Sequence, residues 1–148
     1  MKSVLDLPTE PIADADAMHR LGRYVARQLG AGDVLALVGD LGTGKTTFVR
    51  GLAEGLGLDP EAVSSPTFAL AQQYRGGDVS LVHADLYRIG SDAEAEAAGL
   101  SDLLHDPEAV VAVEWPLNAK GLMPRHALWL HFAIVAAGRA VVQVLPPA

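Results

Sequence analysis

The chain has 148 residues, half of them hydrophobic, no cysteine and a formal charge of −7. The missing cysteines exclude disulfides, thiol catalysis and cysteine-ligated zinc. The acidic balance argues against a stand-alone nucleic-acid binder, which needs a basic footprint on the phosphates. The length favours one domain spanning residues 1–148, able to bury about 70% of the surface its unfolded chain exposes.

The first residues, Met1-Lys2-Ser3-Val4-Leu5-Asp6-Leu7-Pro8, lack the apolar core of a signal peptide. Residues 3–7 read as an edge strand, followed by the punctuating Pro8 and Pro11. Asp14 or Asp16 can cap a helix running to about Leu29, because Met18, Leu21, Val25 and Leu29 form an apolar stripe. Arg20, Arg23 and Arg27 then fall on a solvated face. Gly30-Ala31-Gly32-Asp33 turns into a short apolar strand over residues 34–38.

Gly39-Asp40-Leu41-Gly42-Thr43-Gly44-Lys45-Thr46 follows at once, and it fits G-x-x-x-x-G-K-[ST]. A helix over residues 46–56, with Phe48, Leu52 and Leu56 on one face, completes the strand–loop–helix context that this phosphate-binding loop requires. The chemistry explains the spacing. Glycines keep side chains clear so that backbone N–H groups can wrap a polyanion, and the helix N-terminus adds donors and a positive dipole end. Lys45 would reach the β- and γ-phosphates, and the Thr46 hydroxyl would ligate Mg²⁺.

Ser65-Pro66-Thr67-Phe68 comes next. Thr67 lies in the interval where GTPases keep a γ-phosphate-sensing threonine, and a plain turn is the competing reading. An extended run to Tyr74, the turn Arg75-Gly76-Gly77-Asp78 and a strand over residues 79–84 predict a hairpin. Ser91 with Glu94 matches a capping box, and residues 100–104 form a second helical fragment. Residues 109–113 are continuously apolar, as in a buried parallel strand. Residues 118–124 read as loop, and residues 127–135 and 140–145 as a hairpin around Ala136-Ala137-Gly138-Arg139. The apolar stretch at residues 127–137 falls short of the about 20 residues of a membrane span. A soluble cytoplasmic protein with no membrane contact is the expectation.

These elements assemble into an α/β P-loop NTPase domain: a central, mostly parallel sheet from the strands after residues 33, 79 and 109, flanked by antiparallel strands and helices. Two acids end apolar strands, Asp85 and Glu114. Glu114 is assigned to Mg²⁺, directly or through water, and Asp85 to a place just behind the metal's ligands or to orienting the attacking water. The reverse assignment stays open on sequence. Trp115 reads as core, and His83 as hydrogen-bonded core. Guanine recognition by Asn-Lys-x-Asp has no counterpart, since Asn118-Ala119-Lys120-Gly121 lacks the order and the acid, so ATP is the expected nucleotide.

Four strings in order, the glycine loop running on to Thr47, Ser65-Pro66-Thr67-Phe68, His83-Ala84-Asp85-Leu86-Tyr87-Arg88 and Glu114-Trp115-Pro116, resemble the TsaE (YjeE) family of small bacterial P-loop ATPases. The resemblance covers nearly the whole chain. It implies an accessory ATPase for threonylcarbamoyl modification of the adenosine beside the tRNA anticodon. In that role it docks on a TsaD–TsaB heterodimer and meets tRNA only through its partners. It further implies that Asp40, Leu41, Gly42, Thr43, Gly44, Lys45, Thr46, Thr47 and Trp115 surround the nucleotide. Thr46 and Glu114 would hold Mg²⁺, with Asp85, Lys45 and Thr67 serving catalysis. Residues 65–68 would act as a switch, and the base would be met near Ile12 and Arg139. The family often continues Glu-Trp-x-Glu, where this chain has Leu117. Two competing readings are a small-molecule P-loop kinase, with residues 117–125 as its lid, and a nucleotide-gated binding protein without useful hydrolysis.

Overall fold

Every residue of Ala109–Glu114 is buried, so this strand must be covered on both faces and lie inside a sheet. In the computed structural model, which describes residues 3–64, 70–77 and 79–148, it does. The strands are β1 (Val34–Val38), β2 (Ala71–Tyr74), β3 (Ser80–Asp85), β4 (Ala109–Glu114), β5 (Leu128–Val135) and β6 (Gly138–Val144). They form one sheet in the order β2-β3-β4-β1-β5-β6. β3, β4, β1 and β5 run parallel, and β2 and β6 are antiparallel edges. The parallel centre therefore holds one strand more than expected, because β5 lies beside β1 as well as turning into β6.

Alternation along the strands sends side chains into two layers. Leu35, Leu37, Leu81, Val110, Ala112, Leu130 and Phe132 face α1 (Ala15–Ala26) and α2 (Lys45–Gly55). Val34, Ala36, Val82, Ala84, Val111, Val113 and Trp129 face α3 (Asp92–Ala97), α4 (Leu100–Leu104) and the 3₁₀ segment Pro116–Leu122. The capping pair at Ser91 forms with a shifted return bond: the Ser91 hydroxyl accepts from Glu94 N at 3.1 Å, and the Glu94 carboxylate accepts from Gly90 N, one residue before the cap, at 3.0 Å. Between α1 and α2 the backbones nearly touch, for a β-carbon at Gly51 would fall 1.9 Å from the His19 carbonyl oxygen.

Three local expectations are corrected. Residues 3–7 form no strand, because side chains replace the ladder: Leu5 N donates to Gln143 Oε1 at 2.8 Å, and Gln143 Nε2 donates to Ser3 O at 2.9 Å. α1 is capped by Asp14 as foreseen but ends at Ala26, three residues early. The Asp33 carboxylate draws the chain into the glycine turn there by accepting from Gly30 N at 2.8 Å. The expected loop at residues 118–124 is largely 3₁₀, pinned by Asn118 Nδ2 donating to the carbonyls of Leu86 and Tyr87. Among the described residues, no helix is long and apolar enough to cross a membrane.

Candidate nucleotide site

β1 is flanked by β4 and β5, and its carboxyl end delivers the glycine loop above the middle of the sheet. Gly42 and Gly44 take φ of 79° and 98°, left-handed values that a β-carbon would strain. Gly44 also carries a close neighbour, since a β-carbon there would lie 2.9 Å from Met18 Cε of α1. The loop is braced from within by Thr43 Oγ1 donating to Asp40 O at 2.8 Å. α2 begins directly at Lys45 and has no acid in its first turn, so its N-terminal N–H groups and dipole face the loop uncompensated.

A cavity of about 450 Å³ opens here. Leu41, Gly42, Gly44, Lys45, Thr46 and Thr47 form one wall, and Leu70, Asp85, Tyr87, Arg88, Glu114 and Trp115 the other. Lys45 is 5% exposed. Its ammonium donates to the Gly39 carbonyl and lies 4.1 Å from the Trp115 ring centroid. Burial lowers its pKa from the ordinary 10.5, against the opposing pull of Glu114, Asp85 and Asp40. Trp115 is the one residue other than glycine with positive φ among those described, at 56°. That conformation costs about 1–3 kcal/mol. It turns the indole off the end of β4 and into the cavity, edge-on to Tyr87 with ring centroids 5.0 Å apart. Trp115 is half-buried: it packs against the apolar layer beside β4 and also lines the cavity, where the resemblance put it.

Register brings the two acids together. Asp85 and Glu114 are paired Cα partners at the ends of β3 and β4. Asp85 accepts from Tyr87 N at 3.0 Å, a tight turn that points the chain out of the sheet. Glu114, 4% exposed, accepts from Thr46 Oγ1 at 3.3 Å and from His83 Nε2 at 2.6 Å. Mg²⁺ prefers hard oxygens at about 2.1 Å in an octahedron, which puts neighbouring ligands about 3.0 Å apart, and it usually keeps water and phosphate in the remaining positions. A hydroxyl and a carboxylate oxygen 3.3 Å apart suit that demand. Among the described residues no group of three His, Cys, Asp or Glu is placed to hold a metal ion.

Ile12 and Arg139, distant in sequence, form a two-way backbone bridge of 2.6 and 2.8 Å. Arg139 Nε then donates to the Gly42 carbonyl at 3.1 Å, so the N-terminal segment and the β5–β6 turn are both tied to the tip of the loop. Ile12 is 5% exposed and packs in the core, and neither residue lines the cavity. Thr67 and residues 65–68 lie outside the described residues. Sequence reasoning passed over Tyr87 and Arg88 as wall residues, and it left His83 without a partner. Period-two alternation could have found the link, since Leu81, His83 and Asp85 share one face of β3.

A family model described as "Threonylcarbamoyl adenosine biosynthesis protein TsaE" matches residues 12–141. The chain belongs to the TsaE family. The tRNA threonylcarbamoyladenosine biosynthesis protein TsaE of Borreliella burgdorferi is 39% identical over 114 residues, covering 76% of this chain and 82% of that protein. The Streptomyces coelicolor protein of the same name is 48% identical over 101 residues, 66% of each chain. A crystal structure of YdiB from Bacillus subtilis superposes with a TM-score of 0.72 at 29% identity, covering 90% of this chain and 82% of that one. The TsaE assignment and the mixed α/β P-loop architecture thus agree with what the four sequence strings implied.

Proposed function

We propose that this TsaE-family chain binds Mg-ATP in the cavity beside the glycine loop and hydrolyses it slowly. The turnover serves a TsaD–TsaB pair that carries out threonylcarbamoyl modification of the adenosine beside the tRNA anticodon. The observation that carries the proposal is the convergence of Lys45, Thr46, Asp85 and Glu114 on one cavity at a helix N-terminus. Backbone N–H groups of residues 42–47 hold the phosphates, and Lys45 leaves the Gly39 carbonyl to meet the β- and γ-oxygens. Thr46 and Glu114 would hold Mg²⁺, which neutralises charge on those oxygens when bound. Asp85 orients the attacking water, and Trp115 closes the cavity over Lys45. Thr67 senses the γ-phosphate, and the base is met on the side of the loop braced by Arg139 and Ile12. With a charge of −7 the chain leaves tRNA to its partners.

The kinase reading needs a mobile lid with arginines over the phosphates. The segment in that place is instead packed down: Ala119 is buried, Asn118 is tied to Leu86 and Tyr87, and Gly121 N donates to Asp92 Oδ1 at 3.3 Å.

The test is steady-state ATP hydrolysis, alone and with purified TsaD–TsaB, with Lys45→Ala as blank. Slow turnover alone and marked stimulation by the pair support the proposal. Absence of both stimulation and an ATP-dependent complex refutes it, and a phosphorylated metabolite in its place would establish the kinase.

A further inference from the structure

Two groups meet the same oxygen of Glu114. One is the Thr46 hydroxyl, which the glycine loop accounts for. The other is His83 Nε2 at 2.6 Å, which lies outside the glycine loop. His83 is wholly buried in the middle of β3, between Gln72 of β2 and Ala112 of β4. A carboxylate only accepts, so in this pair Nε2 carries the proton. The His83 Nδ1 is the one buried side-chain nitrogen or oxygen among the described residues with no hydrogen-bond partner. A packing role would be met by leucine or valine, as at Leu81 and Val82, without that idle nitrogen. Buried polar groups without partners call for a reason of this kind.

Register supplies the reach. His83 is paired with Ala112, and Glu114 lies two residues further along β4 on the same face. The small Ala112 side chain lets the ring extend diagonally to the Glu114 carboxylate. Among the described residues, Thr46 and His83 are the side chains hydrogen-bonded to Glu114, and Thr46 must turn its lone pairs to a metal when one is held.

We propose that His83 is a positioning residue: its Nε2–H fixes the Glu114 carboxylate in the orientation that, together with Thr46, receives the divalent cation of a bound nucleotide. His83 touches neither cation nor nucleotide. The inference rests on the Mg²⁺-nucleotide reading of the site.

The discriminating pair is His83→Gln and His83→Asn. Glutamine places its amide nitrogen where Nε2 stands, whereas asparagine places it where Nδ1 stands, short of Glu114. Mn²⁺ binding to the protein–ADP complex is read by electron paramagnetic resonance, and ADP affinity in EDTA by calorimetry. Neither needs turnover. Outer hydrogen-bond partners of metal ligands are worth about 10–100-fold in metal affinity. His83→Asn is expected to lose that much, with ADP affinity in EDTA unchanged, while His83→Gln stays near wild type. Wild-type Mn²⁺ affinity in His83→Asn overturns the proposal, as does equal damage in both variants or loss of ADP affinity in EDTA. Should His83→Asn not fold, ¹⁵N-histidine NMR of the wild-type protein decides: the proton on Nε2 is expected, and an Nε2 without a proton overturns the inference. If wild-type protein binds ADP with no metal dependence at all, the Mg²⁺-nucleotide reading of the site falls first.

Discussion

Gly51→Ala tests whether the close crossing of α1 and α2 holds the fold. The new β-carbon would stand 1.9 Å from the His19 carbonyl oxygen and 3.1 Å from Gly22 Cα. Both obstacles are backbone, so no rotamer change relieves them. Ordinary contact starts near 3.4 Å, so the helices must part by about 1.5 Å at this point. Alanine gives back about 1 kcal/mol of helix propensity over glycine. Forcing apart a packed contact costs about 1–3 kcal/mol, and displacing a whole helix that buries Met18, Leu21 and Val25 puts this case at the upper end. The net loss is about 2 kcal/mol, which for a chain of this size lowers the melting temperature by about 4–8 °C. Thermal circular dichroism with a urea midpoint at unchanged slope measures it. Gly30→Ala, where nothing lies within 4 Å, is the control expected to melt as wild type. A Gly51→Ala protein at least as stable as wild type would refute the reasoning.

The two acids separate by what they lose. Asp85→Asn is expected to bind Mg-ATP but lose about 10²-fold or more in turnover, while Glu114→Gln loses the Mg²⁺ dependence of binding. Calorimetry with and without Mg²⁺ checks this, and the opposite pattern exchanges their roles. Lys45 sets a pH dependence. Its pKa is lowered in the free protein by burial and rises again beside phosphate. Nucleotide binding therefore takes up a proton in the window between the lowered value and the bound one, and affinity falls as pH rises through it. Proton uptake, read by calorimetry in buffers of different ionisation enthalpy, should appear in that alkaline window. Proton release there would contradict it.

Much of this was legible because the physics is local. A five-residue apolar run has one sensible use when Gly-Asp-Leu-Gly-Thr-Gly-Lys-Thr follows it, and β1 lies where the run does. Ala109 to Val113 could only be an inner strand. What stayed hidden depended on pairing across the sheet. Nothing near residues 128–135 says that β5 lies parallel to β1, for a hairpin to β6 satisfies the same alternation. The Trp115 backbone turn has no local signal, since tryptophan is a poor residue for positive φ. His83 could be read as hydrogen-bonded, but its acceptor is on another strand and emerges only from the β3–β4 register.

The order of strands carries a consequence for how the site comes into being. The glycine loop is synthesised early, yet β1 finds its neighbours only in β4 and β5, with Leu35 opposite both Ala112 and Leu128. The brace at Gly42 waits for Arg139. A nascent chain on the ribosome that has exposed only its first half therefore carries a phosphate loop without flanking walls, without Glu114 and without its brace. Cellular nucleotide has nothing formed to grip until synthesis is nearly done. Ligand binding then favours finished molecules over partial ones, by mass action on the native state, and such long-range pairing is the slow kind to close. Truncated chains would lack that ligand stabilisation and stay open to proteolysis, a consequence of strand order alone.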